Sequence, residues 1–403
     1  MDKIYDLVIA GGGPAGLSAA VYAARSKLKT LVLESDSAGG QLTDYEEMEN
    51  YPGFTDITAP ELAKNFKEHA RKFGALTADG EVQRLDLESS PKKVMTKDGK
   101  TYHTRSILIA TGAEPRKLDI PGEKELQGRG VSYCATCDAE FFVDLDVMVV
   151  GNGNSAVEEA IYLTNFARRV TLVVIHEEGK MDADSLFQER AYENDKIDFV
   201  WNSTLKRIEG DQMVDKAVVE NIRTGELQKL DYDGIFIFVG REPSTEILED
   251  TGVELDQSGY IVTDEGMRTN VPGVYAAGDV RQKPVRQVIT AAGDGATAAV
   301  ECQKYLEATE HWRENVLDTE SEVIVFFWSP TDDDSLEAMR LLEELEIEEK
   351  TDKELVRIDA YGNDFIPDRY GVEEIPTVIT IAGGEEKERI IRPTAKDLEG
   401  LLA

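Results

Sequence analysis

The sequence predicts an α/β chain of two Rossmann-like, three-layer ββα dinucleotide-binding domains, the second inserted in the first, with a further small α/β domain at the C-terminus. Three observations carry this. A strand, glycine turn, helix and strand occupy residues 5–34, and the same succession returns at 146–174. A third, compact strand–helix alternation begins at residue 323.

The first unit opens with YDLVIA (5–10), turns through GGGPAG, continues as the amphipathic LSAAVYAARSK and closes with TLVLE, which ends in Glu34. Gly11, Gly13 and Gly16 make G-x-G-x-x-G directly after a strand, with Pro14 and Ala15 opening a helix. The first glycine permits the tight turn and the second lets the backbone approach a pyrophosphate. The third lets helix pack closely on strand, and the helix N-terminus faces the negative charge. Glu34 is placed to accept hydrogen bonds from a ribose diol. A glycine motif alone is weak, since any tight strand–helix turn uses glycine. Here strand, loop, helix, strand and acid stand in order, and that points to a cofactor.

The second unit reads DVMVV, GNGNSA, VEEAIYLTNFA, RVTLVVI. Gly151, Gly153, Asn154, Ser155 and Ala156 keep the spacing of a phosphate cradle. Between the units, RSILIATGAEPRKLDIPGE (105–123) is a strand that breaks into Gly and Pro, and FIFVGREPSTEI (236–247) breaks in the same way. Two crossovers imply an insertion. One domain then spans 1–114 and 244–316 and the inserted one 115–243, with hinges at ATGAEP and VGREP. Residues 305–320 are polar and read as a helix end and a linker; the last domain covers 320–403. In flavoproteins with two dinucleotide domains, a turn like AAGDV (276–280) is a second FAD contact. Gly278 and Asp279 therefore favour FAD over NAD in the first domain.

The chain of 403 residues carries 79 Asp+Glu against 44 Lys+Arg, a formal net charge of −35. Such a surface repels nucleic acid and anionic membrane, and its even spread along the chain suits solubility in concentrated salt, a halophilic trait. No signal peptide or membrane-length apolar run is recognisable, and three cysteines give no disulfide framework. The expectation is a cytoplasmic protein.

Two of those cysteines, Cys134 and Cys137, stand in VSYCATCDAEFF with Asp138 behind them. Zinc needs four ligands, and Cys302 and the four His offer no matching second pair. A static bridge over so short a loop stabilises little. A pair that opens and closes in turnover fits best beside flavin motifs: one thiolate attacks a partner disulfide, the other resolves the mixed intermediate, and the acid moves the proton.

Over residues 4–310 the sequence resembles the low-molecular-weight thioredoxin reductases. The resemblance rests on GGGPAGLSAAVYAAR, GGQL (39–42), ENYPGF (49–54), ATGAEPRKLDIPGE, CATCDAEFF and AAGDVRQKPVRQVITAAGDGATAA. It implies FAD, a homodimer, a thioredoxin-like protein disulfide as acceptor, and a cysteine pair borne on the inserted domain. It implies that Cys137 faces the flavin, Cys134 attacks the substrate and Asp138 gives or takes the proton. It also implies FAD contacts at Gly40, Gln41, Leu42 and Asn50, at Val82, at Ala110, Thr111 and Gly112, and at Arg286, Gln287 and Val288.

The chain departs from that family where NADPH should bind. The family's strand end carries a histidine, two arginines and another arginine a few residues on; here His176 is followed by Glu177 and Glu178. Carboxylates repel a 2′-phosphate, whereas an acid such as Glu177 suits the ribose diol of NADH. The readings are an NADH site, a vestigial site in an enzyme fed by ferredoxin or another donor, relay from a second flavin, and NADPH use in high salt.

Residues 319–403 resemble thioredoxin in pattern: VIVFFW, a loop and a helix, then EEIPTVI with Pro376 where that family has a cis-proline. The exchange pair is missing, since Trp328-Ser329-Pro330-Thr331-Asp332 stands in place of W-C-G-P-C. The domain is expected to be redox-dead and to serve stability, docking or regulation. Asp332, Asp333 and Asp334 read as a solvated helix N-terminus.

Overall fold

The computed structural model describes residues 3–402 except 36–38, 45–47, 49, 320, 350–353 and 362–364. Glu49 of the ENYPGF stretch thus lies outside the described residues. The N-terminal part builds β1 (Ile4–Ala10), α1 (Pro14–Arg25), β2 (Thr30–Glu34), α2 (Ala59–Lys72), β3 (Leu76–Asp79), β4 (Val82–Asp86), β5 (Lys92–Thr96) and β6 (Thr101–Ile109). These strands form one sheet in the order β3-β2-β1-β6-β5-β4. The pairs of β1 with β2 and with β6 are parallel, as a βαβ crossover requires.

The chain then leaves through β7 (Ala113–Pro115), β8 (Val131–Ser132) and the one-turn α3 (Ala135–Asp138). β9 (Asp146–Val150), α4 (Asn154–Leu163), β10 (Arg169–Val173), α5 (Ser185–Tyr192) and β11 (Ile197–Val200) follow. Next come the antiparallel strands β12 (Ser203–Gly210), β13 (Val214–Asn221) and β14 (Leu227–Asp231), then β15 (Gly234–Ile237). A parallel five-stranded sheet, β11-β10-β9-β15-β8, carries the disulfide segment at its β8 edge. β16 (Arg241–Pro243) returns the chain by pairing antiparallel with β7, and Arg116 bonds Glu242 at 2.8 Å across the ribbon. The two hinge stretches of the sequence are therefore one paired strap.

β17 (Val274–Ala276) rejoins the first sheet beside β6, and α6 (Val288–Trp312) packs along α1. The contact is close because Gly295 lies against the Ala15 carbonyl, where a Cβ would come within 2.0 Å. The segment expected to end a helix and become a linker instead stays helical. α6 runs to Trp312 and a π-helical turn continues to Leu317. Its polar composition hid one apolar face: Trp312 and Val316 are buried in the core of the C-terminal unit.

That unit comprises β18 (Val323–Trp328), α7 (Asp333–Glu349), β19 (Glu354–Asp359), α8 (Phe365–Arg369), β20 (Thr377–Ala382), β21 (Glu385–Ile391) and α9 (Ala395–Leu402). Its sheet runs β19-β18-β20-β21, parallel between β18 and β19 and antiparallel beyond. The Ile375–Pro376 peptide is cis. The unit is docked as well as joined: the rings of Tyr305 on α6 and Phe365 meet edge-on at 4.5 Å. Among the described residues no helix is long and apolar enough to cross a membrane.

Candidate active site

A cleft of about 1400 Å³ runs between the two parallel-sheet units and is lined by both glycine loops and both cysteines of the pair. On the first loop, Gly11 takes φ +108°, and an added Cβ would lie 2.3 Å from the Ala110 carbonyl oxygen, so only glycine fits. Gly13 has open space where a Cβ would stand, which leaves its backbone free to be approached. Gly16 is not in the cleft wall; it lets α1 sit on the Gly11 carbonyl, 2.0 Å from where a Cβ would be. Glu34 reaches back and accepts the Gly12 N–H at 2.6 Å.

The other wall residues expected from the sequence come together here. Pro14, Ala15, Gly40, Leu42, Val82, Ala110, Thr111 and Gly112 line the cleft with Glu34, and so do Gly278, Asp279, Arg286 and Val288. Gln41 donates to the Ala113 carbonyl at 2.6 Å, and Asn50 donates to Gln287 Oε1 at 3.1 Å, which ties distant segments into one wall. Three groups in this wall have buried atoms with no partner from the protein: Asp279 Oδ1, Arg286 Nε and Arg241 Nε. Burial raises the Asp279 carboxyl above its ordinary range, against the pull of Arg241, Lys283 and Arg286. Buried polar atoms are nearly always satisfied, so this wall is built for a polar ligand. Together with the glycine cradle, it fits FAD.

Arg241 and Tyr260 were not anticipated as site residues. Arg241 donates to Gln41 Oε1 at 2.7 Å and to the Ala113 carbonyl at 2.8 Å, and Arg286 stacks over the Tyr260 ring at 4.1 Å. An arginine directly after the apolar FIFVG run was the available signal; Tyr260 gave none.

Cys134 and Cys137 form a disulfide with their Cα atoms 5.4 Å apart. Cys134 caps α3 and Cys137 lies within it, so helix geometry holds the pair at bonding distance. Asp138 does not line the cleft; it sits behind the pair, 2.6 Å from Ser132 Oγ. Beyond the disulfide, Phe141 and Val143 are 58% and 52% exposed.

The second loop is also a glycine cradle. Gly151 takes φ +143° with a Cβ position 2.3 Å from the Phe238 carbonyl oxygen, and Gly153 is open. Gly151, Gly153, Asn154, Ser155 and Ala156 line the cleft. Glu177 does not. It lies outside, paired with Lys180 and with Arg223 at 2.7 Å, and these partners hold its carboxyl below the ordinary range. Asp182 does line the cleft, as do Glu158 and Glu159 of α4; Asp182 accepts from Asn152 Nδ2 at 2.9 Å and lies 3.1 Å from His176 Nε2. Asp184 likewise braces Asn154, at 2.8 Å.

The model of the pyridine nucleotide-disulphide oxidoreductase family matches residues 5–295. A thioredoxin reductase of Bacillus subtilis is 47% identical over 307 residues, 76% of this chain and 96% of that protein. One from Peptoclostridium acidaminophilum is 46% identical over 315 residues, 76% of this chain and 99% of that protein. Among solved structures, thioredoxin reductase from Streptococcus pyogenes gives a TM-score of 0.69 at 45% identity, covering 76% of this chain and 100% of its own. That of Lactococcus lactis gives 0.58 at 47% identity, covering 75% and 99%. The chain belongs to the pyridine nucleotide-disulphide oxidoreductases and, among them, to the FAD-dependent thioredoxin reductase family.

Proposed function

We propose that this oxidoreductase takes electrons from NADH and delivers them through Cys134 and Cys137 to a thioredoxin-like protein disulfide. The observation that carries the reading is the single cleft in which two glycine cradles and the disulfide meet. FAD would be held by the first cradle with Glu34, Asp279 and Arg286, and would supply the two-electron chemistry that opens the disulfide.

The protein residues do the rest. With the pair reduced, the Cys134 thiolate attacks one sulfur of the acceptor disulfide and the other leaves as a thiolate. Cys137 then attacks Cys134 of the mixed disulfide, which releases the second thiolate and re-forms the enzyme disulfide. Asp138 handles the proton. Exposed Phe141 and Val143, a few residues beyond Cys137 in the chain, offer apolar contact to a protein acceptor rather than a small thiol.

Two features support NADH over NADPH. Asp182 puts a carboxylate in the cleft wall, bonded to Asn152 of the second cradle. The basic groups nearby, Lys180 and Arg223, are already taken by Glu177, so a 2′-phosphate would have to compete with that carboxylate for them.

The C-terminal unit we assign to a thioredoxin-like domain that does not exchange electrons. Its central strand β18 leads through the Ser329–Asp332 turn into α7. There Ser329 is buried with its Oγ 2.9 Å from Thr331 Oγ1, and Asp332 accepts from the Ser335 N–H at 2.7 Å. Neither side chain can form a disulfide. The unit is fixed to α6 and acts as a docked support, not as a swinging carrier. A homodimer is supported by apolar side chains left exposed on the packed helices α1 and α6, at Tyr22, Ile289 and Val300.

The test is NADH-driven reduction of a thioredoxin disulfide in high salt, with Cys134→Ser and Cys137→Ser alongside. Both variants should keep the flavin and lose protein-disulfide reduction. Turnover surviving in either would sink the assignment.

A further inference from the structure

Ser132, at the end of β8, makes three contacts around the redox pair. Its Oγ accepts the Cys134 N–H at 3.1 Å and lies 2.6 Å from Asp138 Oδ2 and 3.2 Å from the Cys134 carbonyl oxygen. The side chain is buried, with the residue 5% exposed. A hydroxyl has one proton to donate and two lone pairs to accept with. Two acceptors, Asp138 and the Cys134 carbonyl, therefore compete for one proton, and the protonation state of Asp138 decides between them.

We propose that Ser132 is a positioning residue for proton transfer, a rotor that lets Asp138 change charge without moving heavy atoms. With Asp138 ionised, the Ser132 O–H points to Asp138 Oδ2 and its oxygen accepts only the Cys134 N–H. With Asp138 protonated, the acid donates to Ser132 Oγ, and the serine proton turns to the Cys134 carbonyl. Each state leaves these groups paired, because the Cys134 carbonyl also accepts the Asp138 N–H at 3.3 Å when the serine proton turns away, and the Cys134 N–H contact persists in both. The step it serves balances. The Asp138 proton passes to the thiolate leaving the acceptor disulfide as the Cys134–acceptor S–S bond forms. Asp138, now ionised, is reprotonated by the thiol proton of Cys137 as that sulfur closes on Cys134. Two electrons and one proton go from the Cys134 thiolate and Cys137 thiol to the acceptor, whose second sulfur leaves as a thiolate and takes its proton from water.

The inference rests on the assignment of Asp138 as the proton-handling acid, so the experiment separates the two. Holoenzyme reduced in advance is mixed with oxidised thioredoxin, and single-turnover rates are measured from pH 5 to pH 9 for wild type, Ser132→Ala, Asp138→Asn and the double variant. The flavin spectrum of each verifies folding. Wild type should show a pH limb that Asp138→Asn abolishes. Ser132→Ala removes a hydrogen-bond donor to the ionised carboxylate, so it should move that limb to higher pH by about one unit or more. In the Asp138→Asn background the serine change should alter the rates less than about twofold, because the coupling partner is gone.

Several outcomes overturn the inference. A uniform fall in rate for Ser132→Ala with the limb in place makes Ser132 merely structural. An equal effect of Ser132→Ala with and without Asp138 shows that the two are not coupled. If Asp138→Asn leaves the wild-type profile intact, the acid assignment fails and the rotor falls with it. Ser132→Thr keeps the hydroxyl and should restore the wild-type limb, which a purely steric role of the site would not require.

Discussion

Lys283 and Asp294 form an ion pair of 2.7 Å with the lysine side chain 4% and the aspartate side chain 12% exposed. Asp294 also accepts the Gly278 N–H at 3.1 Å, and Arg281 lies 3.5 Å away. The pair thereby anchors the turn that carries Asp279 into the cleft. Asp294→Ala strands a buried ammonium and should cost about 3–5 kcal/mol. Replacing both partners with apolar residues, Lys283→Met with Asp294→Leu, should cost far less. Denaturant unfolding at a fixed FAD concentration checks both, and flavin retention should fall with the single change.

Thiol counting tests the pairing. Cys302 is the one free cysteine among the described residues and is buried, and burial pushes its thiol up to about 12. At pH 8 the oxidised native protein should therefore react scarcely at all with a chromogenic disulfide reagent. One thiol should appear on unfolding, and three after reduction, since the chain has three cysteines. Three thiols without reduction would contradict the disulfide.

Glu159, on α4 in the cleft wall, has a buried Oε2 without a protein partner, and burial lifts its carboxyl to about 7, helped by the neighbouring Glu158. A carboxyl whose folded pKa lies above its unfolded value favours the protonated native state. Its contribution is therefore given up as pH rises from the ordinary carboxyl range to about 7. Glu159→Gln should remove that loss, so its stability relative to wild type should grow from pH 5 to pH 8 by up to roughly 3 kcal/mol. Denaturant midpoints at the two pH values measure it; no pH-dependent difference would refute the burial argument.

Trp312 is 1% exposed and packs on Phe327 and Tyr370, so the last turn of α6 belongs to the C-terminal core. Trp312→Ala should cost about 3–5 kcal/mol. The first transition of a thermal scan should then be the C-terminal unit, with the flavin still bound. Simultaneous loss of flavin at that transition would mean the two parts unfold as one.

Much of this was legible in the sequence where a motif and its surroundings agree. Gly11, Gly13 and Glu34 follow from strand, turn and acid in order, and the insertion follows from two Gly/Pro breaks. Other features turn on three-dimensional neighbours that local pattern does not encode. Glu177 is a charge at the right strand end, yet Arg223, 46 residues away on the β13–β14 turn, draws it out of the cleft, while Asp182 enters on a loop. Arg241 acts through Gln41, 200 positions earlier in the chain. The helical joint at Trp312 was concealed because its apolar face is narrow and charged residues flank it.

The most direct measurement is an anaerobic one. Flavin absorbance is followed in high salt after adding NADH, NADPH or reduced ferredoxin in separate cuvettes, and the thiols of Cys134 and Cys137 are trapped afterwards. Bleaching should be fast with NADH and much slower with NADPH, and the NADH sample should carry two newly alkylated cysteines per chain. Fast bleaching by NADPH, or by ferredoxin alone, would contradict the donor assignment, and bleaching without new thiols would contradict the path through the disulfide.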